Sequence, residues 1–265
     1  MKPQTVLSTG EIWHQITNEV TTGPAAEPNF ADYFAKTILD YEDLGAALSN
    51  HLAEKLASAA ATAPMLKEIM QGIFADKTVI AKVSRDIQAT VARNSACDLY
   101  SSTFLYFKGS LSLQAYRAAH ELWRQGRTSL ALLLQHRISI SFAVDIHPAA
   151  IIDSGVMIDH STGLVIGETV IVEDSVSIMQ SVTLGGTGKD RGDRHPKIRK
   201  DVLIGPGTTI LGNIYIGESA IVAAASVVLK SVAAHKVVAG VPAVEVRDIA
   251  EGSSARGINH YFVAR

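Results

Sequence analysis

The sequence predicts an α+β chain in three parts: an all-α half over residues 1–145 suited to oligomerisation, a parallel β-helix of hexapeptide repeats over 146–246, and a flexible tail over 247–265. Two periodicities predict it. Apolar residues recur at helical spacing from about Asn29 to Ser141, as in Phe30-Tyr33-Phe34-Thr37-Ile38-Tyr41 and Leu44-Leu48-Leu52-Leu56. After Asp145 a period of six takes over, with thirteen aliphatics in register: Ile146, Ile152, Ile158, then Ile166, Val172, Ile178, Leu184, then Ile198, Ile204, Ile210, Ile216, Val222, Val228.

Each part follows from these patterns. In the helical half, Pro24, Pro28, Pro64, Gly109 and Gly126 punctuate the pattern, which predicts several helices with short connections. Residues 1–28 carry no pattern that assigns them. In the second half, a period of six fits neither a helix nor an ordinary half-buried strand. A coil of short parallel strands with a turn between each pair meets it, and no coil can bury its aliphatic column without its neighbours. The last stretch, rich in Gly, Ser and charge, reads as a flexible tail.

The six-residue register breaks twice. Two residues are added around Ser161-Thr162-Gly163 and about eight around Gly186–Asp193. Insertions in a solenoid leave as flanking loops, which often carry function. His160 stands at the first break and His195 closes the second, so both are read as exposed candidates, whereas His147, between a core aliphatic and Pro148, reads as structural.

Imidazole titrates near neutrality and can take a proton from an alcohol as it attacks an acyl group. A carboxylate behind it fixes the tautomer, and Asp145, fifteen residues before His160, is a candidate within an 18-residue coil. Arg194 offers a planar fork for a carboxylate, and Asp98 and Asp159 offer negative charge for an ammonium group. Together these residues describe a site for an amino-acid alcohol.

Composition excludes other classes. With 24 Lys+Arg against 26 Asp+Glu, a net charge of −2 leaves no general attraction to nucleic acid or an anionic membrane. The single cysteine, Cys97, rules out a disulfide framework and fits a reducing compartment. The N-terminus has no apolar leader and no apolar run spans a bilayer, so a cytoplasmic protein is expected. Gly185-Gly186-Thr187-Gly188-Lys189 lacks the spacing of a P-loop.

These residues resemble the serine O-acetyltransferase family of cysteine biosynthesis. The resemblance is carried by Asp145-Ile146-His147-Pro148, by Asp159-His160 with Gly167-Glu168-Thr169, by Gln180–Lys189, and by Gly192-Asp193-Arg194-His195-Pro196-Lys197-Ile198. It extends from about residue 30 to 260, and Gly240-Val241-Pro242-Ala243 closes the coil as in hexapeptide acyltransferases generally. It implies a left-handed β-helix, assembled as a homo-trimer or a dimer of trimers, and acetyl transfer from acetyl-CoA to L-serine between subunits, without a metal.

By the same resemblance His160 is the general base, Asp145 orients it, and His195 positions or polarises the reacting groups. Arg194 holds the serine carboxylate, Asp98 and Asp159 face its ammonium, and Gly186, Thr187, Pro206 and Ala224 line the CoA groove, where Ile221 stands at a position that is commonly basic. L-Cysteine, a thiol analogue of serine, is implied as a feedback inhibitor at the serine site. The family's tail carries Gly257-Ile258-Asn259-His260 and ends in an isoleucine that enters O-acetylserine sulfhydrylase. This sequence ends in Arg265, which does not fill an apolar pocket in that way, so that partner is not expected.

Two rival readings use the same coil. An acetyltransferase for a sugar or antibiotic hydroxyl would not require Arg194 and Asp98. A γ-type carbonic anhydrase would bind zinc through three histidines but has no counterpart to Gly192–Pro196 in this register.

Overall fold

Helix α1 (Thr9–Thr21) begins where Ser8 and Glu11 cap each other: the Ser8 hydroxyl accepts the Glu11 N–H at 3.3 Å and the Glu11 carboxylate accepts the Ser8 N–H at 2.7 Å. Its buried Ile12, Ile16 and Val20 follow at helical spacing, so this helix lies in the stretch left unassigned by sequence. The computed structural model describes residues 6–249 except 24 and 190; the predicted tail beyond 249, including Gly257–His260 and Arg265, lies outside the described residues.

Among the described residues seven further α-helices follow: α2 (Ala31–Phe34), α3 (Leu44–Leu56), α4 (Ala63–Phe74), α5 (Lys77–Arg93), α6 (Tyr100–Leu105), α7 (Lys108–Arg124) and α8 (Thr128–Phe142). Pro64 opens α4 rather than breaking it, since its missing N–H falls in the first turn. Gly126, at φ +75°, ends α7, and Arg127 N–H returns to Leu122 O at 2.9 Å. No helix among the described residues is long and apolar enough to cross a membrane.

The strands form three sheets wound as a parallel solenoid. The first holds β1 (Val144–Ile146), β4 (Leu164–Ile166), β7 (Thr183–Gly185), β10 (Thr209–Leu211) and β13 (Val227–Val228). The second holds β2 (Ile151–Ile152), β5 (Ile171–Val172), β8 (Lys197–Ile198) and β11 (Tyr215–Ile216). The third holds β3 (Met157–Ile158), β6 (Ser177–Ile178), β9 (Leu203–Ile204), β12 (Ile221–Val222), β14 (Lys236–Gly240) and β15 (Ala243–Asp248). All thirteen predicted column residues are at most 3% exposed.

Register locates the insertions. Ile146 pairs with Ile166, Ile166 with Leu184, Leu184 with Ile210 and Ile210 with Val228, steps of 20, 18, 26 and 18 residues. The two-residue and eight-residue additions therefore leave the strand ladder intact. Two boundaries differ from expectation. The coil starts at Val144, and β15 turns back antiparallel on β14, carrying pairing through Arg247 and Asp248 where a free tail was expected to begin.

Helices α5 and α7 pack on β3, the first strand of the third sheet. Met157 and Ser177 point outward from it, yet are 1% and 0% exposed. The joint is polar as well as apolar. Arg117 Nε meets Asp86 Oδ2 at 2.7 Å, while its other nitrogens donate to Ile152 O (3.1 Å) and Asp153 O (2.6 Å). Asp86 Oδ1 accepts the Val156 N–H at 3.0 Å, and the side chains of the pair are 5% and 0% exposed. Burial pushes the Asp86 carboxyl up, and the Arg117, Val156 and Gln114 donors pull it back. Gly109, in the first turn of α7, lets the helix reach β3: a Cβ there would lie 1.9 Å from Ile158 O. The strand that leads to His160 is thereby seated by the helical half.

Candidate active site

Turns connecting the third sheet to the first stack along one edge of the solenoid. Ser181 N–H donates to Thr162 O (2.8 Å), Gly207 N–H to Gln180 O (2.9 Å) and Ala225 N–H to Pro206 O (2.8 Å), so His160, Gln180, Pro206 and Ala224 belong to successive steps. Each turn needs a left-handed residue, and at the first one the two added residues require two in succession, His160 (φ 55°) and Ser161 (φ 61°). Neither is glycine, and such backbone costs about 1–2 kcal/mol per residue. Strain of this kind concentrates at functional sites.

His160 points outward with its side chain 73% exposed, as the register predicts. Its Nε2 lies 3.6 Å from Asp159 Oδ2, and Asp159 Oδ1 accepts the Asn94 side-chain N–H at 3.0 Å. Asn94 begins the connection from α5 to α6 that carries Asp98, so that connection is tied to the His160 turn. Asp145 lies on β1 paired with Val165, and its Oδ1 accepts from Gln135 Nε2 at 2.7 Å. The chain thus pairs His160 with Asp159 and engages Asp145 with Gln135.

The second insertion leaves from the opposite edge, between the first and second sheets, and carries Gly186, Thr187, Arg194 and His195. Contrary to the exposed reading, His195 is only 7% exposed. Its Nδ1 accepts the Thr169 N–H at 3.2 Å and lies 2.8 Å from Thr169 Oγ1, which accepts the Arg194 and His195 N–H groups at 3.1 and 3.2 Å. With Nδ1 accepting, the neutral ring carries its proton on Nε2, a donor. Burial first, and then the Arg194 guanidinium, hold this histidine below its usual value.

Arg194 is already paired: Nη2 donates to Glu168 Oε2 at 2.8 Å and Nη1 to Gly192 O at 2.9 Å. That guanidinium holds the Glu168 carboxyl below its ordinary range. Lys197 Nζ clamps the end of the loop, donating to Thr169 O (2.9 Å), His195 O (2.8 Å) and Asp193 Oδ1 (2.5 Å). Thr169, Glu168 and Lys197 were legible in the motifs but carried no role there, because the contacts of Thr169 with His195, Glu168 with Arg194 and Lys197 with Thr169 each join residues more than a coil apart in sequence.

Gly167 makes room for the His195 ring: a Cβ would lie 2.2 Å from its Cδ2 and Nε2. Gly167→Ala is expected to expel the ring from its contact with Thr169, and a histidine NMR titration then finds the His195 pKa raised toward 6.5. The sign for stability follows. A depressed folded-state pKa means the unfolded chain binds the extra proton first, so this residue's contribution is lost as pH falls below about 6.5 and is smaller in the variant.

The two edges flank the first sheet, where β1, β4, β7 and β10 each span three residues. Strand of that length covers roughly 10 Å. Within one chain the turns with His160, Pro206 and Ala224 therefore stand across a sheet face from Gly186, Thr187, Arg194 and His195.

Comparison with known proteins agrees with both halves. A family model described as serine acetyltransferase, N-terminal, matches residues 12–115, and one described as bacterial transferase hexapeptide (six repeats) matches residues 195–230. Serine acetyltransferase of Escherichia coli (strain K12) is 48% identical over 262 residues, 95% of each chain. A soybean serine acetyltransferase complexed with serine superposes with a TM-score of 0.87 at 47% identity, covering 90% of this chain and 98% of that one. A serine acetyltransferase in complex with cysteine gives 0.88 at 48% identity, with 91% and 100% covered. One from Brucella abortus strain S19 in complex with coenzyme A gives 0.87 at 44% identity, with 90% and 96% covered. With matched helices, a matched coil and identity close to half along nearly the whole length, this chain belongs to the serine acetyltransferase family.

Proposed function

We propose that this chain transfers the acetyl group of acetyl-CoA directly to the hydroxyl of L-serine, giving O-acetyl-L-serine and CoA. The observation that carries the reading is the 48% identity to a serine acetyltransferase across 95% of both chains. The site residues are His160 and Asp159 on one edge of the coil, Arg194 and His195 on the other, Asp145 on β1 and Asp98 on the connection from α5 to α6. His160 removes the hydroxyl proton as the serine oxygen attacks the thioester carbonyl, and returns a proton to the CoA sulfur as the C–S bond breaks. Asp145 orients the imidazole, with Gln135 holding its Oδ1 and leaving Oδ2 for the ring. His195 offers its Nε2–H to the oxygen that gains charge, as a neutral imidazole can.

Arg194 receives the serine carboxylate in exchange for Glu168, and Asp98 and Asp159 receive its ammonium. Because the two groups of residues stand on opposite edges of one sheet, a complete site requires the His160 edge of one subunit to meet the His195 edge of the next. A closed ring of three, or a pair of such rings, brings them together. The CoA chain then runs between Pro206 and Ala224 of one subunit and Gly186 and Thr187 of its neighbour. L-Cysteine presents the same carboxylate and ammonium and competes for this site. The buried, unpaired Cys97 fits an enzyme of the reducing cytoplasm.

Thiol release from acetyl-CoA is the test. CoA is expected to appear with L-serine and not with L-homoserine, a galactoside or no acceptor. Arg194→Ala is expected to raise the KM for serine by about tenfold to a hundredfold, the loss of a charged hydrogen-bonding fork. Release with a galactoside instead, indifferent to Arg194, would assign the chain to another acceptor. Bound zinc with no release at all would favour the carbonic anhydrase reading.

A further inference from the structure

The connection between α5 and α6, residues 94–99, is held at both ends. At its far end the Glu19 carboxylate, on α1 and 7% exposed, accepts the Tyr100 and Ser101 N–H groups at 3.2 and 2.7 Å. At its near end Asn94 does four things. Its N–H ends α5 on Thr90 O (2.9 Å) and its carbonyl accepts the Cys97 N–H (3.0 Å). Its side-chain oxygen accepts the Ala96 N–H (2.9 Å), and its side-chain nitrogen donates to Asp159 Oδ1 (3.0 Å).

The last bond divides the Asp159 carboxylate. Oδ1 is spent on Asn94, so Oδ2 is the oxygen turned toward His160. The same amide ties the segment with Asp98 to the turn with Asp159. Two carboxylates brought toward a common point repel one another, and a neutral amide donor opposes that repulsion without cancelling the charge that an ammonium needs. Resting on the serine acetyltransferase reading above, we infer that Asn94 is a positioning residue for recognition of the substrate's ammonium: its amide aims Asp159 and docks the Asp98 segment beside it.

Two substitutions separate this role from turn formation. Asn94→Ser keeps the backbone cap on α5 and an oxygen for the Ala96 N–H, but its short side chain does not reach Asp159. Asn94→Ala removes both side-chain bonds. With purified full-length enzyme, both are expected to raise the KM for L-serine about tenfold, the loss of a hydrogen bond to a charged group. The KM for acetyl-CoA stays within about twofold, as for an interaction with one substrate only. In an Asp159→Asn background, Asn94→Ser adds less than about twofold, because residues acting through one another are not additive.

The inference is overturned if Asn94→Ser leaves the serine KM unchanged, if both KM values rise together with a fall in thermal stability, or if its effect is fully additive with Asp159→Asn. The unsubstituted chain is run beside the variants. Failure of that chain to turn over serine would overturn the underlying activity as well, whereas normal turnover with unaffected variants would overturn the role of Asn94 alone.

Discussion

His160→Ala is expected to lower kcat for acetyl transfer by about 10²- to 10⁴-fold, the usual contribution of a positioned general base. The structure makes this a clean test, because the side chain is 73% exposed and lies against Asp159 at 3.6 Å without entering either core. Thermal stability is therefore expected to stay within about 0.5 kcal/mol of the unsubstituted chain, as for a surface change away from buried features. The backbone cost largely cancels, since any residue at this position must hold the φ of 55° that His160 holds. The measurement is steady-state CoA release with both substrates saturating, beside a thermal melt. A loss below tenfold in a folded variant would remove His160 from the role of base and turn attention to His195, whose Nδ1 is committed to Thr169.

Asp86→Ala carries the largest expected loss of stability, about 3–5 kcal/mol, because it strands a buried guanidinium. Arg117, 5% exposed in its side chain, would keep Ile152 O and Asp153 O as acceptors but lose the carboxylate that faces it at 2.7 Å. The Val156 N–H would lose its acceptor as well. A carbonyl neutralises no charge, so desolvation of the arginine goes unmatched. Urea unfolding measures it. Replacing the pair by Leu and Met together is expected to recover part of the loss, since apolar residues of similar volume often substitute for a buried ion pair. A single-variant loss below about 1 kcal/mol would mean that water reaches Arg117 and that the joint between helices and coil is looser than its geometry.

That joint also bears on catalysis. Asp86 and Arg117 hold the backbone around β2 and β3, Tyr116 Oη donates to Ala150 O, and Gly109 lets α7 rest on Ile158. His160 follows Ile158 by two residues. The helical half thus sets the height and tilt of the first turn of the active edge, and Lys108 Nζ adds a bond to Thr162 Oγ1 within that turn. Sequence reading assigned these helices to oligomerisation and packing; the contacts add a second task, seating the first coil.

What the sequence determined by itself was the coil. A period of six specifies which residues face inward, because a one-residue slip would send every aliphatic to the surface, and all thirteen column residues are buried. It also determined where the coil is interrupted, since the added residues around Ser161 and after Gly186 are loops that the ladder skips. The residue types at those interruptions, His160 with Asp159 and His195 with Arg194, marked them as candidates for chemistry, and the role of each came from the family resemblance.

Tertiary structure decided the rest. Helix α1 was legible only as a capping box, Ser8 with Glu11, ahead of three spaced aliphatics, a signal short enough to pass unread. That His195 is buried against Gly167 and Thr169 follows from a loop folding back, and that Arg194 meets Glu168 follows from stacking of adjacent coils; neither has a period. The same holds for the helices that pack on β3 and β1 at the first coil. Strand hydrogen bonds are alike on all three sheets, so the six-residue pattern cannot say which strands the helices meet. Those choices rest on single long-range contacts such as Arg117 with Ile152 and Asn94 with Asp159, which join residues 35 and 65 positions apart.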